Sequence, residues 1–135
     1  MDKRKASILL TAFFIDVIGP RTAMLNVLIA VIAIDYLTGV LRAIYERRLD
    51  SRVGARGIIK KIGYLTAIAL AHQIDVWLGT GDALRSLSLS LFIANEAWSN
   101  IENLASMGIV FPQPVLARIK EMMGKEQLED ERKED

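Results

Sequence analysis

Residues 34–65 read IDYLTGVLRAIYERRLDSRVGARGIIKKIGYL, and the order of chemistries along this stretch decides the fold. A carboxylate, Asp35, sits inside an apolar run; a basic segment follows; a second apolar run begins at Ile62. Between Arg42 and Lys61 the cations are Arg42, Arg47, Arg48, Arg52, Arg56, Lys60 and Lys61, opposed only by Glu46 and Asp50. Two greasy segments joined by a short cationic loop make a membrane hairpin, and a loop this basic stays on the cytoplasmic side. The remaining crossings are counted outward from it.

The chain has 135 residues, 52% of them apolar, which suits one domain with more hydrophobic material than a soluble protein of this size carries. Its net charge of +1 hides a segregation: apolar residues concentrate before Ala105, whereas the stretch from Lys120 to Asp135 is almost wholly polar. With no cysteine, disulfides, thiolate metal sites and cysteine nucleophiles are excluded. Lys3, Arg4 and Lys5 followed by apolar Ile8 to Ile18 imitate a secretory signal. Asp16 interrupts that run and further hydrophobic blocks follow, so the segment is expected to remain in the mature chain.

Ala6 to Ile18 would span only ~20 Å as a helix, against a hydrocarbon thickness of ~30 Å. Gly19-Pro20 ends it, because proline lacks a backbone donor and disfavours helix at the residue before it. Thr22 to Ala43 is the clearest spanning segment, Ile62 to Leu78 the second and Ala83 to Ala105 the third. Gly79 is placed to close one helix in the left-handed conformation and Asp82 to cap the next. Pro112 and Pro114 break the chain. Val115, Leu116, Ile119, Met122 and Met123 then follow at the spacing of an amphipathic helix lying on the membrane or on a partner, ahead of a charged, solvated tail from Lys125. The expected architecture is an all-α integral membrane bundle of three long transmembrane helices and a short N-terminal hydrophobic helix, forming oligomers. Residues 1–111 make the membrane domain, with the cytoplasmic basic loop near 45–61, and residues 112–135 the cytoplasmic helix and tail. If the first block crosses, Lys3, Arg4 and Lys5 join the basic loop inside.

Asp35, His72, Asp75, Glu96 and Glu102 are the costly residues, since a charge at the bilayer centre costs ~2.5–3.5 kcal/mol even on the lenient insertion scale. Asp35 is expected to oppose His72 and Asp75 as an intramembrane charge cluster, either structural or sensing protons or voltage. In the last long helix Ser86, Ser90, Asn95, Glu96, Ser99, Asn100, Glu102 and Asn103 form one broad polar face, with Leu91, Phe92 and Leu104 among the remainder. That face either hydrogen-bonds other helices of the same subunit or lines the wet wall of an oligomeric pore. Ser86-x-x-x-Ser90-x-x-x-Ala94 and Ala67-x-x-x-Ala71 suit close helix approach under both readings. No metal or cofactor site is expected, because one histidine with scattered carboxylates lacks ligand spacing. No catalytic pair is expected either: Glu96 and Glu102 are about 240° apart around a helix. The basic loop is assigned to topology and anionic lipid rather than to nucleic acid.

Several ordered segments resemble the toxin secretion/phage lysis holins: Ile34-Asp35-Tyr36-Leu37-Thr38-Gly39-Val40, Gly54-x-x-Gly57-Ile58-x-Lys60-Lys61-Ile62, Ala69-Leu70-Ala71-His72-Gln73-Ile74-Asp75, Gly79-Thr80-Gly81, Ile93-Ala94-Asn95-Glu96 and Glu102-Asn103 with Gly108. The likeness covers roughly Ala23 to Lys120. It implies a non-enzymatic protein of the bacterial cytoplasmic membrane that assembles with itself and opens lesions, releasing an endolysin or exporting a large toxin. An antiholin is a further partner the resemblance brings in. The residues alone leave two other readings: a small non-lytic channel or transporter, and a membrane scaffold for a lytic enzyme.

Overall fold

The computed structural model describes residues 1–49 and 51–124. Asp50, the Arg52 side chain of the basic loop and the charged tail from Lys125 lie outside the described residues. Five helices follow one another: α1 (Lys3–Ile18), α2 (Ala23–Tyr45), α3 (Ser51–Leu78), α4 (Ala83–Ser106) and α5 (Gln113–Met123). No strand occurs among the described residues.

The helix ends follow from local chemistry. Thr22 caps α2 by accepting a hydrogen bond from the Leu25 N–H at 3.3 Å. At the far end Arg47 takes the left-handed conformation, φ 55°, so that the Arg48 N–H reaches back to the Ala43 carbonyl at 2.9 Å. Gly79 closes α3 in the same way: its φ is 66° and the Thr80 N–H bonds to Asp75 O at 3.1 Å. No proline lies between Ser51 and Leu78 and the chain continues as helix, so α3 begins eleven residues ahead of the apolar block at Ile62 and runs for 28 residues. Most of the expected basic loop is therefore the first turns of α3, and the connection proper is the short stretch after Tyr45. Pro114 stands in the first turn of α5, where its missing N–H costs nothing, and Gly124 ends that helix at φ 67°.

α4 is the hub. α2, α3 and α5 each pack on it, whereas α1 leans on α3. The apolar core is small: Leu25, Leu28, Ile68 and Leu89, with Ile18, Met24, Val31, Ile32, Phe92 and Ile93 around them. Phe92, from the remainder of α4 outside the polar face, turns inward and stacks on Tyr64 with ring centroids 4.4 Å apart. Thr38, Asp75, Arg85, Glu96 and Asn100 are buried, while large apolar side chains on every long helix point outward, among them Ile29, Leu37, Ile59, Leu70, Leu87 and Trp77 at 82% exposure. Charged and polar groups buried beside a small apolar core, under a surface rich in large apolar side chains, depart from the soluble pattern and fit hydrocarbon as the solvent.

Among the described residues α2 is the one helix both long and apolar enough to cross a membrane. At about 1.5 Å per residue its 23 residues cover the hydrocarbon layer. α3 and α4 have the length, but Lys60, Lys61, His72 and Asp75 dilute one and Arg85, Glu96 and Glu102 the other.

Candidate functional site: a polar seam along α4

The seam begins with depth. Asp35 stands ten residues before the end of α2, Lys61 ten after the start of α3, and Glu96 ten before the end of α4. At about 1.5 Å per residue each lies about 15 Å from the same end of the bundle, and the three meet. The Lys61 ammonium is 2.8 Å from Asp35 Oδ2 and 2.9 Å from Glu96 Oε2, the second an ion contact without hydrogen-bond geometry. The side chains are 18%, 13% and 3% exposed, so two carboxylates share one cation largely away from solvent. At full ionisation this trio carries a net charge of −1.

Amides extend the seam toward the basic end. Asn100 donates to Val31 O at 3.1 Å and to Glu96 O at 3.0 Å, and its own carbonyl oxygen accepts from the Thr38 hydroxyl at 2.8 Å. Asn103 donates to Thr38 Oγ1 at 3.1 Å and toward Asp35 Oδ1 at 3.4 Å. Its oxygen faces an Arg42 Nη1 at 3.5 Å, and Arg42 also pairs with Glu46 at 3.1 Å. Buried amides bonded this fully fix the register of α2 on α4.

A second polar cluster occupies the opposite end of α4. Asp75 accepts from Thr80 Oγ1 at 2.5 Å, from the Leu84 N–H at 3.0 Å and from the Arg85 N–H at 2.9 Å. It thereby caps α4, whose first N–H groups carry the positive end of the helix dipole. Asp82 holds the cap position by sequence, but its side chain instead accepts from Ser86 Oγ at 3.1 Å. Arg85 is fully buried and donates to the carbonyls of Ile18 at 2.8 Å and Pro20 at 2.7 Å; Gln73 donates to those of Asp16 and Val17 at 3.0 and 3.1 Å. The open carbonyl end of α1 is held by these two side chains. Gly19, at φ 92°, fits a notch between Arg85 and His72: a Cβ there would lie 2.8 Å from Arg85 Nε and 2.8 Å from His72 Nδ1.

The structure places the anticipated residues as follows. Asp35 is not brought to His72 and Asp75. They lie eleven and fourteen residues beyond Lys61 along α3, about 16 Å and more at helical rise, too deep to oppose it. Of the polar face on α4, Glu96, Asn100 and Asn103 turn toward α2 and α3. Asn95, Ser90 and Ser99 are half-buried; Glu102 is exposed on another flank, where it accepts from Trp98 Nε1 at 2.7 Å. Lys120 of α5 lies over the same indole, 5.3 Å from its centroid. Among the basic residues Arg47, Arg48, Arg56 and Lys60 are exposed, Arg42 is half-buried and Lys61 is drawn inward. Ala67 and Ala71 line an apolar groove of about 300 Å³ between α3 and α4. The sequence carries no expectation for Arg85, and Gln73 enters there only within the Ala69 to Asp75 motif. A signal for Arg85 existed: a cation in the first turn of a helix opposes the dipole and requires acceptors from elsewhere. No group of three or more potential metal ligands occurs among the described residues.

Comparison with known proteins covers most of the chain. The model of the bacteriophage holin family matches residues 9–124, reaching back into α1 beyond the Ala23 to Lys120 span carried by the motifs. An uncharacterized protein of Listeria monocytogenes is 37% identical over 124 residues, covering 92% of this chain and 88% of its own. An uncharacterized 14.9 kDa protein from the nagH 3′ region of Clostridium perfringens is 32% identical, covering 86% and 89%. A probable holin of Bacillus phage phi105 is 30% identical over 95 residues, 70% of each chain. No solved structure matches.

Proposed function

We propose, from the premise that this chain belongs to the bacteriophage holin family, that it assembles in the bacterial cytoplasmic membrane and opens lesions wide enough to release an endolysin or a large exported toxin. The observation that carries this reading is the inverted solvation. Asp35, Lys61, Glu96, Asn100 and Asn103 lie between helices, with leucine and isoleucine outside. In a closed subunit the seam is sheltered by α2 and α3. When neighbouring copies take over those helix contacts, Glu96, Asn95, Ser99, Asn100 and Asn103 become the wet wall of the lesion, with Ser86, Ser90 and Glu102 along its flanks. The apolar outside then remains against lipid. No residue is assigned a catalytic role.

In this reading α2, α3 and α4 all cross, and the Arg42 to Lys61 end and the tail are cytoplasmic. Exposed Tyr45 at that end and Trp77 near the other support the placement, because amphipathic rings settle at the two interfaces. The docking of α1's last turn beside Gln73 and Arg85 supports a crossing by α1 as well, which puts Lys3, Arg4 and Lys5 on the cytoplasmic side. Endolysin, toxin or an antiholin would be cargo or partner.

Induced expression of this chain in bacteria that also hold a fluorescent protein tests the proposal. Abrupt release of the fluorescent protein is expected. Loss of ions alone, with the reporter retained, would replace the lesion by a small channel, and liposomes left tight by the purified chain would favour a scaffold. Replacing Asn100 and Asn103 together by leucine is expected to shift lysis time at matched membrane levels; unchanged timing would remove the polar face from the mechanism.

A further inference from the structure

α2 and α3 are consecutive, yet each packs on α4 rather than on the other. Between them, at the basic end, a cleft of about 920 Å³ remains open. Its α2 wall includes Gly39 and Ala43, its α3 wall Gly54 and Gly57, and Arg48 stands at its mouth. The glycine positions leave space in these walls: a Cβ on Gly54 or Gly57 would meet nothing within 4 Å, and one on Gly39 nothing nearer than 3.8 Å. Asp35 and Lys61 reach the inner end already bonded to each other, so Arg48 is the exposed cation lining the opening among the described residues.

We propose that this cleft is a binding site for one anionic phospholipid of the cytoplasmic leaflet, its phosphate on Arg48 and one acyl chain between the glycine-bearing walls of α2 and α3. This inference rests on the membrane orientation given under Proposed function. A basic opening between helices at headgroup level is the arrangement that recognises anionic headgroups. The shape suits a lipid: Gly39, Gly54 and Gly57 leave room for a chain alongside the apolar side chains of Val40, Ala43 and Ile58, Ser99 and Asn103 of α4 close the polar inner side, and the open side lets the chain continue into the bilayer. Charge selects the occupant. A second copy of this chain lying parallel would bring its own Arg47, Arg48 and Arg56 to the same level, cation against cation, whereas a phosphodiester neutralises the mouth. With a lipid between them α2 and α3 would be wedged apart, which links the composition of the inner leaflet to how tightly the Asp35–Lys61–Glu96 trio is closed.

The test uses the full chain reconstituted with phosphatidylglycerol or with phosphatidylcholine, then gently extracted and weighed by native mass spectrometry for retained lipid. Phosphatidylglycerol is expected to be retained about fivefold over phosphatidylcholine, the preference one surface cation supplies. Arg48→Gln should bring the ratio to about one. Gly57→Leu, whose side chain enters open space, should empty the site of both lipids, while Gly63→Leu, likewise in open space but outside the cleft, should retain the preference. Equal retention of both lipids by the natural chain, or unchanged retention in Gly57→Leu, would overturn the site. So would loss in Gly57→Leu of cross-links between copies without loss of lipid, which would give the cleft to a second copy. Vesicle flotation is run in parallel. A chain that fails to float refutes the membrane orientation itself, and a chain that floats without lipid preference refutes only the site.

Discussion

The two ends of α4 solve the burial of charge in different ways. At the Asp75 end a carboxylate accepts three directed hydrogen bonds, two of them from backbone N–H groups, and a buried guanidinium donates to two backbone carbonyls. Backbone partners cannot swing away, so this end is closed by the fold itself. At the Glu96 end two carboxylates share the ammonium of one long, flexible side chain, and the balance is left one negative charge over. Lys61 has four rotatable bonds and another phase, water, within reach once α2 and α3 part. The first cluster is fixed by backbone partners, the second by side chains alone.

The largest effect is expected where that asymmetry is broken outright. Lys61→Met removes the shared cation and leaves Asp35 and Glu96 facing each other with no counter-charge. Taking one partner from a buried ion set costs about 3–5 kcal/mol. Denaturation in mixed micelles should show the loss, and lysis should come early or insertion fail. Glu96→Gln in the same chain should recover part of the stability, because a single acid then remains. If Lys61→Met is as stable as the natural chain, the trio is not holding the helices together.

Asp75→Ala probes the other end. It strips the cap from α4 and leaves the Leu84 and Arg85 N–H groups and the Thr80 hydroxyl without their acceptor, for about 2–3 kcal/mol. The comparison predicts a difference in kind as well as size: Asp75→Ala should lower stability and membrane yield without changing the timing of lysis per molecule inserted. A timing shift at matched levels would mean that both ends take part in opening.

Asn100→Leu should be milder, about 1 kcal/mol, because hydrogen bonds between membrane helices average well under that figure each and leucine recovers packing. Its effect should fall on register. Cysteine pairs placed across α2 and α4 would cross-link with lower yield and wider pattern than in the natural chain.

The helices were legible because their signals are local. Gly19-Pro20, Gly79, Pro112 and the apolar blocks each act within a turn or two, and the structure adds little beyond the earlier start of α3. The pairing of charges was only half legible. Asp35 in an apolar run announces a need for a partner, but the sequence offers His72, Asp75, Lys61 and Glu96 alike. Depth separates them, and depth depends on where α3 begins. With the helix started at Ile62, Lys61 belongs to the loop; with it started at Ser51, Lys61 lies ten residues inside and level with Asp35. Arg85 was hidden for another reason. Its partners are backbone carbonyls of α1, and a carbonyl leaves no mark in a sequence.

The smallest effect sits in the link between the two walls of the lipid cleft. Arg47 ends α2 in the left-handed region at φ 55°, a conformation that costs a residue bearing a Cβ about 1 kcal/mol and costs glycine almost nothing. Its side chain is exposed. Arg47→Gly therefore trades one charge of the basic end for relief of strain, and the fold should gain up to about 1 kcal/mol, less what glycine's greater freedom in the unfolded chain takes back. Orientation should survive, because Arg42, Arg48, Arg56, Lys60 and Lys61 still mark the same end. Arg47→Ala is the control: it removes the same charge and keeps the strain, so the two variants should part in stability while agreeing in topology. If they are equally stable, the left-handed turn is not where this hairpin stores strain, and the bond from Arg48 N–H to Ala43 O would then have to form without it.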